Sequence, residues 1–246
     1  VGGAPPGPPP AGERPVEPGP PSSLLESRLR AELGSRARVV TTVPLVVEAT
    51  WEYDDESDAR FLQAEWDGPI AGVFEGGALV GRPREPGEQS ANVPGVNCNL
   101  PGVWARPFEV ELSFEYHTER MGVFAILLNY FTNPGPNYRV DFGAPDNALA
   151  FLLDENGNAE PIESSPIDPF PPGGRTVLRL EATAEGEHRI SVGPPDGVPF
   201  VRIDARDVRV AEGSLALYLA SFEEFRIERL VVRGRVADSW AQRLGD

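Results

Sequence analysis

The chain has 246 residues, 40% of them apolar, with 27 prolines, 26 glycines and a net charge of −16. That length gives one large domain with a sizeable core, or two small ones. The charge argues against a nucleic-acid or anionic-membrane surface, and no apolar run reaches the roughly 18 residues that a membrane helix needs.

Residue types exclude further chemistry. All 22 basic residues are arginine, so neither a Schiff-base lysine nor a phosphate-loop lysine is available. A single cysteine, Cys98, rules out an intramolecular disulfide and a thiolate zinc site. It lies in VNCNL with no neighbouring base to activate it, and reads as an inert thiol. The two histidines, His117 and His188, have no nucleophile motif beside them.

Residues 1–22 form a Pro/Gly-rich linker. Fourteen of the first 21 residues are Pro or Gly, which predicts an extended, solvated polyproline-like tether. A spacer is useful when something lies on its far side, so the expectation is a tethered module with an upstream domain or a role in self-assembly. A short helix is predicted over 23–34. Ser23 and Glu26 make a capping box, Leu25, Leu29 and Leu33 form an i, i+4, i+8 stripe, and Gly34 supplies the stop.

From residue 38 to 237 the period switches to two. In VPLVVEATWEY the apolar set is Val43, Leu45, Val47, Ala49, Trp51 and Tyr53. In PFEVELSFEY, Phe108, Val110, Leu112 and Phe114 alternate with Glu109, Glu111, Ser113 and Glu115. GVFAILLNYF is apolar at both parities, as a central strand covered on both sides would be. NYRVDF, ALAFLLD, TVLRLEAT, HRISV, FVRID, SLALYLA and FRIERLVVRG follow, divided by turn signals such as DENGN and PPDG. Ten or more short strands without intervening helices predict an all-β antiparallel sandwich of jelly-roll type. Residues 81–101 read as a long loop, and the tail, 238–246, as a short terminal helix.

EGGALVG, PFEVELSFEY, GVFAILLNYF and NYRVDFG, with the closing SLALYLASFEEFRIERLVVRG, resemble the strand order of the concanavalin A-like lectin/glucanase jelly roll. Laminin-G-like modules and the 3-keto-disaccharide hydrolase domain are the nearest relatives in pattern. The resemblance spans roughly Val39 to Val236 and implies a carbohydrate-related role. It also implies two further things to look for, a calcium ion and a strand of catalytic carboxylates.

Glucanases of this fold carry Glu-x-Asp-x-Glu or Glu-x-Asp-x-x-Glu on one strand, and the counterparts here are Glu109, Glu111 and Glu115. Alternate residues on a strand lie about 7 Å apart, from which the roughly 5–5.5 Å of a retaining carboxylate pair is reachable. Ser113 stands where the shorter motif has an acid. For calcium the oxygen donors are Asp154, Asn156 and Asn158, in a stretch that equally makes a hairpin turn. For a sugar the candidates are Asn129, Tyr130, Tyr138, Arg139 and Asp141 around YFTNPGPNYRVD, with Trp104 after the long loop. They combine aromatic faces with planar hydrogen-bonding groups. If Val140 and Phe142 face the core, Arg139 and Asp141 stand together on the opposite face.

The reading that follows is a non-catalytic, extracytoplasmic or secreted module that holds a carbohydrate or a protein partner. A glycoside-acting hydrolase and a structural assembly subunit are the alternatives.

Overall fold

The computed structural model describes residues 24–54, 58, 70–83, 96–117, 124–131, 136–143, 148–155, 158–167, 174–221 and 224–245. The linker 1–22 and the residues Ser23 and Asn156 lie outside this set.

The chain opens with α1 (Leu24–Leu33), which buries Leu29 and Leu33. It ends at Gly34, whose φ of 100° few other residues adopt and whose N–H closes onto the Arg30 carbonyl at 2.9 Å. Among the described residues, fifteen antiparallel strands follow in two layers. The first layer is built from β1 (Arg38–Thr42), β2 (Leu45–Glu52), β6 (Trp104–His117), β11 (Thr176–Ala182), β12 (Glu187–Gly193), β13 (Val201–Arg206) and β15 (Glu224–Val236), in the order β1-β2-β15-β6-β11-β12-β13. The hairpin of β3 (Ile70–Glu75) and β4 (Ala78–Pro83) extends it, β4 pairing with β15 beyond the end of β2.

The second layer takes β5 (Val96–Asn99), β7 (Phe124–Phe131), β8 (Asn137–Phe142), β9 (Ala148–Glu155), β10 (Asn158–Pro166) and β14 (Glu212–Ser221) in the order β5-β14-β7-β8-β9-β10. Two residue pairs between β14 and β6 join the layers. The helix α2 (Asp238–Gly245) closes the chain and buries Trp240 and Leu244. The all-β antiparallel sandwich expected from the sequence is therefore what the chain forms.

Alternation sets which face of each strand is inside. In β8, Tyr138, Val140 and Phe142 are buried, while Asn137, Arg139 and Asp141 are half-exposed. In β9, Leu149, Phe151 and Leu153 are buried and Asp154 stands outside. The layers meet in an aromatic core: Phe114 of β6 contacts Phe142 of β8 edge to face at 6.0 Å. Such a core buries on the order of 2 kcal/mol per large apolar side chain.

Two expectations need correction. Val43 is 90% exposed because it lies in the turn between β1 and β2, so the alternating strand begins at Leu45. The stretch 81–101 is not loop throughout: its first residues complete β4, and Val96–Asn99 forms β5 against β14. A four-residue strand is too short to print a period on the sequence.

Candidate functional site

Among the predicted positions, the structure brings together Arg139, Asp141 and Asp154 on the outer face of the second layer. Asn137 pairs with Asp154 across β8 and β9, and Arg139 pairs with Leu152, so Asp154 is the diagonal neighbour of Arg139. Arg139 Nη2 donates to Asp141 Oδ2 at 3.2 Å, and Nη1 lies 3.6 Å from Asp154 Oδ2. The two carboxylate side chains are 13% and 15% exposed, the guanidinium side chain 27%.

The second oxygens, Asp141 Oδ1 and Asp154 Oδ1, are buried without a hydrogen-bond partner among the described residues. A buried acceptor left unmatched costs roughly 1–3 kcal/mol. Burial pushes the Asp141 carboxyl above the usual range; the Arg139 charge opposes this and the Asp154 charge adds to it. Ala150 pairs with Asp141 and Leu152 with Arg139, and on β10 Ala159, Pro161 and Ser164 pair with Asp154, Leu152 and Ala150. Asn129 pairs in register with Arg139 across β7 and β8, and Tyr130 with Tyr138.

Two aromatic candidates are not at any surface. Tyr138 has the same parity as Val140 and Phe142 and is 2% exposed; its hydroxyl donates to Asp207 Oδ1 at 2.5 Å and accepts the Val210 N–H at 3.1 Å. Trp104 is fully buried, tilted against Trp240 at 6.4 Å, with Nε1 donating to the Pro101 carbonyl at 3.3 Å. Neither ring can stack on a ligand. Both bind the fold together.

The carboxylate row lies on the other layer. Glu111 has both oxygens engaged, Oε2 by Arg179 at 3.0 Å and Oε1 by Arg229 at 3.3 Å. Glu115 faces Arg226 at 3.8 Å, and Ser113 is buried. Glu109 is exposed opposite Arg233 and Glu181. This is an ion-pair lattice, in which each Glu111 oxygen already accepts from an arginine. As for calcium, β9 and β10 are joined through residues 156 and 157, with Glu155 pairing with Asn158. Asp154 is turned to Arg139 and Asn158 is exposed. No group of three or more metal-ligating side chains occurs among the described residues.

His188, which has no nucleophile motif beside it in the sequence, is an enclosed polar side chain, 1% exposed. Its ring lies 4.7 Å from Phe151 and 5.0 Å from Tyr138. Asp207 is a residue that sequence pattern did not single out. Burial alone would raise its carboxyl, but hydrogen bonds from Arg209 and Tyr138 bring it down to about 2.

No family model and no curated protein matches the chain. Solved structures do. A protein of unknown function with a galectin-like fold from Bacillus subtilis superposes with a TM-score of 0.57 at 10% identity, covering 76% of this chain and 95% of that one. A native glycosidic hydrolase gives 0.52 at 13% identity, with 75% and 94% covered. The exoplasmic/lumenal domain of VIP36, in its Ca2+/Man3GlcNAc-bound form, gives 0.51 at 12% identity, with 72% and 88% covered. At such identities the likeness is one of fold alone, and that fold is the concanavalin A-like, lectin-type β-sandwich.

Proposed function

We propose that the chain is a non-catalytic carbohydrate-binding module whose site is the outer face of β8 and β9. The observation that carries this reading is the Arg139–Asp141–Asp154 cluster, with two buried carboxylate oxygens that have no partner among the described residues. Sugar hydroxyls are donors of the right size for such oxygens, and the guanidinium supplies the complementary donors for ring and hydroxyl oxygens. Ala150, Ala159 and Ser164 flank the carboxylates with small side chains, and Leu152, across from Arg139, offers an apolar surface for a sugar's C–H face. The carbohydrate ligands of fold neighbours such as VIP36 are in keeping with this reading.

The test is a glycan-array screen of the full chain, with and without Ca2+, beside a variant carrying Arg139→Ala and Asp141→Ala. Hydrogen bonds to charged groups contribute about 1.5–3 kcal/mol each, so the variant should bind at least tenfold more weakly. The reading is refuted if no glycan binds, or if every glycan that binds does so equally well to the variant. Because the Asp141 carboxyl titrates above the ordinary range, affinity should also decline on acidification at a higher pH than an exposed aspartate would give. A Kd series over pH, compared with Asp141→Asn, measures that.

The hydrolase alternative gains nothing from the geometry, since Glu111 is engaged on both oxygens.

A further inference from the structure

The opposite layer carries a groove of about 770 Å3 over β2, β15, β6, β11 and β12, walled at one end by the turn that contains Pro199. Its lining includes five arginines and four glutamates, a near balance on a chain of net charge −16. Across the strands one rung runs Glu48, Arg233, Glu109, Glu181, Arg189. The next runs Val231, Glu111, Arg179, Ser191, Arg202.

Much of this charge is spent internally. Arg179 and Arg229 hold Glu111, Arg189 holds Glu181 at 3.1 Å, and Arg202 holds Asp204 at 2.9 Å. Glu109 and Arg233 differ. They are exposed and face each other across β6 and β15, yet neither forms an ion pair with any described residue.

The lining narrows the choice of occupant. A polyanion would meet Glu109 and Glu181 side by side, within the field of a strongly acidic protein. A polycation would meet the five arginines. An apolar ligand would find Val231 and Pro199, because Val110, Leu180 and Ile190 turn their side chains into the core. A second copy laid face to face about a two-fold axis between β6 and β15 would join Glu109 to Arg233 but set Glu48 on Glu181.

We propose that this groove is a second ligand site, distinct from the β8–β9 cluster, and that it takes a neutral, hydroxyl-rich oligosaccharide. Each hydroxyl gives one hydrogen bond and accepts others. That matches a floor where guanidinium donors and carboxylate acceptors recur at the roughly 4.8 Å strand spacing. Glu109 and Arg233, without an ion-pair partner among the described residues, supply the central acceptor and donor. The site stands whether or not the β8–β9 face binds sugar.

The test uses the full chain with 15N-labelled arginine, titrated with cellotetraose, maltotetraose and mannotetraose, and with tetragalacturonate as the anionic comparator. The expected result is a saturable movement of the Arg233 and Arg179 Nε–Hε signals with a neutral tetrasaccharide and none with tetragalacturonate. Glu109→Gln with Arg233→Gln should weaken that Kd at least tenfold, while Arg139→Ala leaves it unchanged. The proposal is overturned if no neutral tetrasaccharide moves these signals, or if tetragalacturonate does so better. It is also overturned if the Glu109/Arg233 variant binds as wild type, or if Arg139→Ala abolishes the movement. Glu109 and Arg233 are exposed, so the variant should keep the wild-type circular dichroism.

Discussion

Acidification from pH 6.5 to pH 4 should remove about 3 kcal/mol of folding stability, and His188→Phe should abolish that loss. The figure follows from a His188 pKa brought down to about 4 from 6.5, at 1.36 kcal/mol per unit. Burial is the main cause and the Arg106 charge adds to it. The Gly186 carbonyl and Asp207 pull the other way. That carbonyl already accepts the Asp207 N–H at 2.9 Å, and neither imidazole nitrogen has a hydrogen-bond partner among the described residues.

The direction follows from proton binding. Between pH 4 and 6.5 the unfolded chain holds a proton on this ring that the folded chain refuses, so stability rises with pH through that window. Asp207 acts in a separate window. With its carboxyl held down to about 2, its contribution is present above pH 3.8 and fades below it. Urea midpoints from pH 7 to 4.5 measure the effect. A wild-type slope that persists in His188→Phe would place the titrating group elsewhere. A phenylalanine suits the site because Tyr138 and Phe151 already enclose the ring.

Gly234→Ala should cost about 3 kcal/mol or more, near the top of the range for overpacking a core. Gly234 pairs with Phe108 in the β6–β15 ladder and lies on the core side of β15. A Cβ there would sit 2.4 Å from the Phe108 Cβ and 2.7 Å from its Cα. Backbone, unlike the tip of a flexible side chain, has nowhere to go. Gly77→Ala is the control, since it has a φ of 75° but nothing within 4 Å of the added methyl. It should lose only the roughly 1–2 kcal/mol of left-handed strain. Equal losses in the two variants would mean that β6 and β15 can move apart.

What could be read from the chain was whatever lies along one strand. An antiparallel strand with one solvated face writes that face into alternate residues, so β8 announced both its buried set and the Arg139–Asp141 contact. The same parity puts Tyr138 with Val140 and Phe142, so its burial was legible too; its hydroxyl only made it resemble a binding residue. Trp104 is different, because the ring that covers it belongs to Trp240, 136 positions later in α2. Asp154 reads as a turn or metal ligand until the β8–β9 register puts it diagonal to Arg139. Glu111 likewise looks like a spare carboxylate until strand order brings Arg179 and Arg229 to it from either side. Strand order and register depend on contacts far apart in the chain, which no local pattern records.

The two helices meet: Arg28 Nη1 of α1 donates to the Leu244 carbonyl of α2 at 3.1 Å. Residues 24 and 245 therefore emerge from the same pole of the sandwich. A pull applied between residues 24 and 245 falls first on this small helix–helix contact and not along the long strands. Between these two residues the described sandwich is loaded mechanically as a bead held at one pole, not as a link stretched end to end.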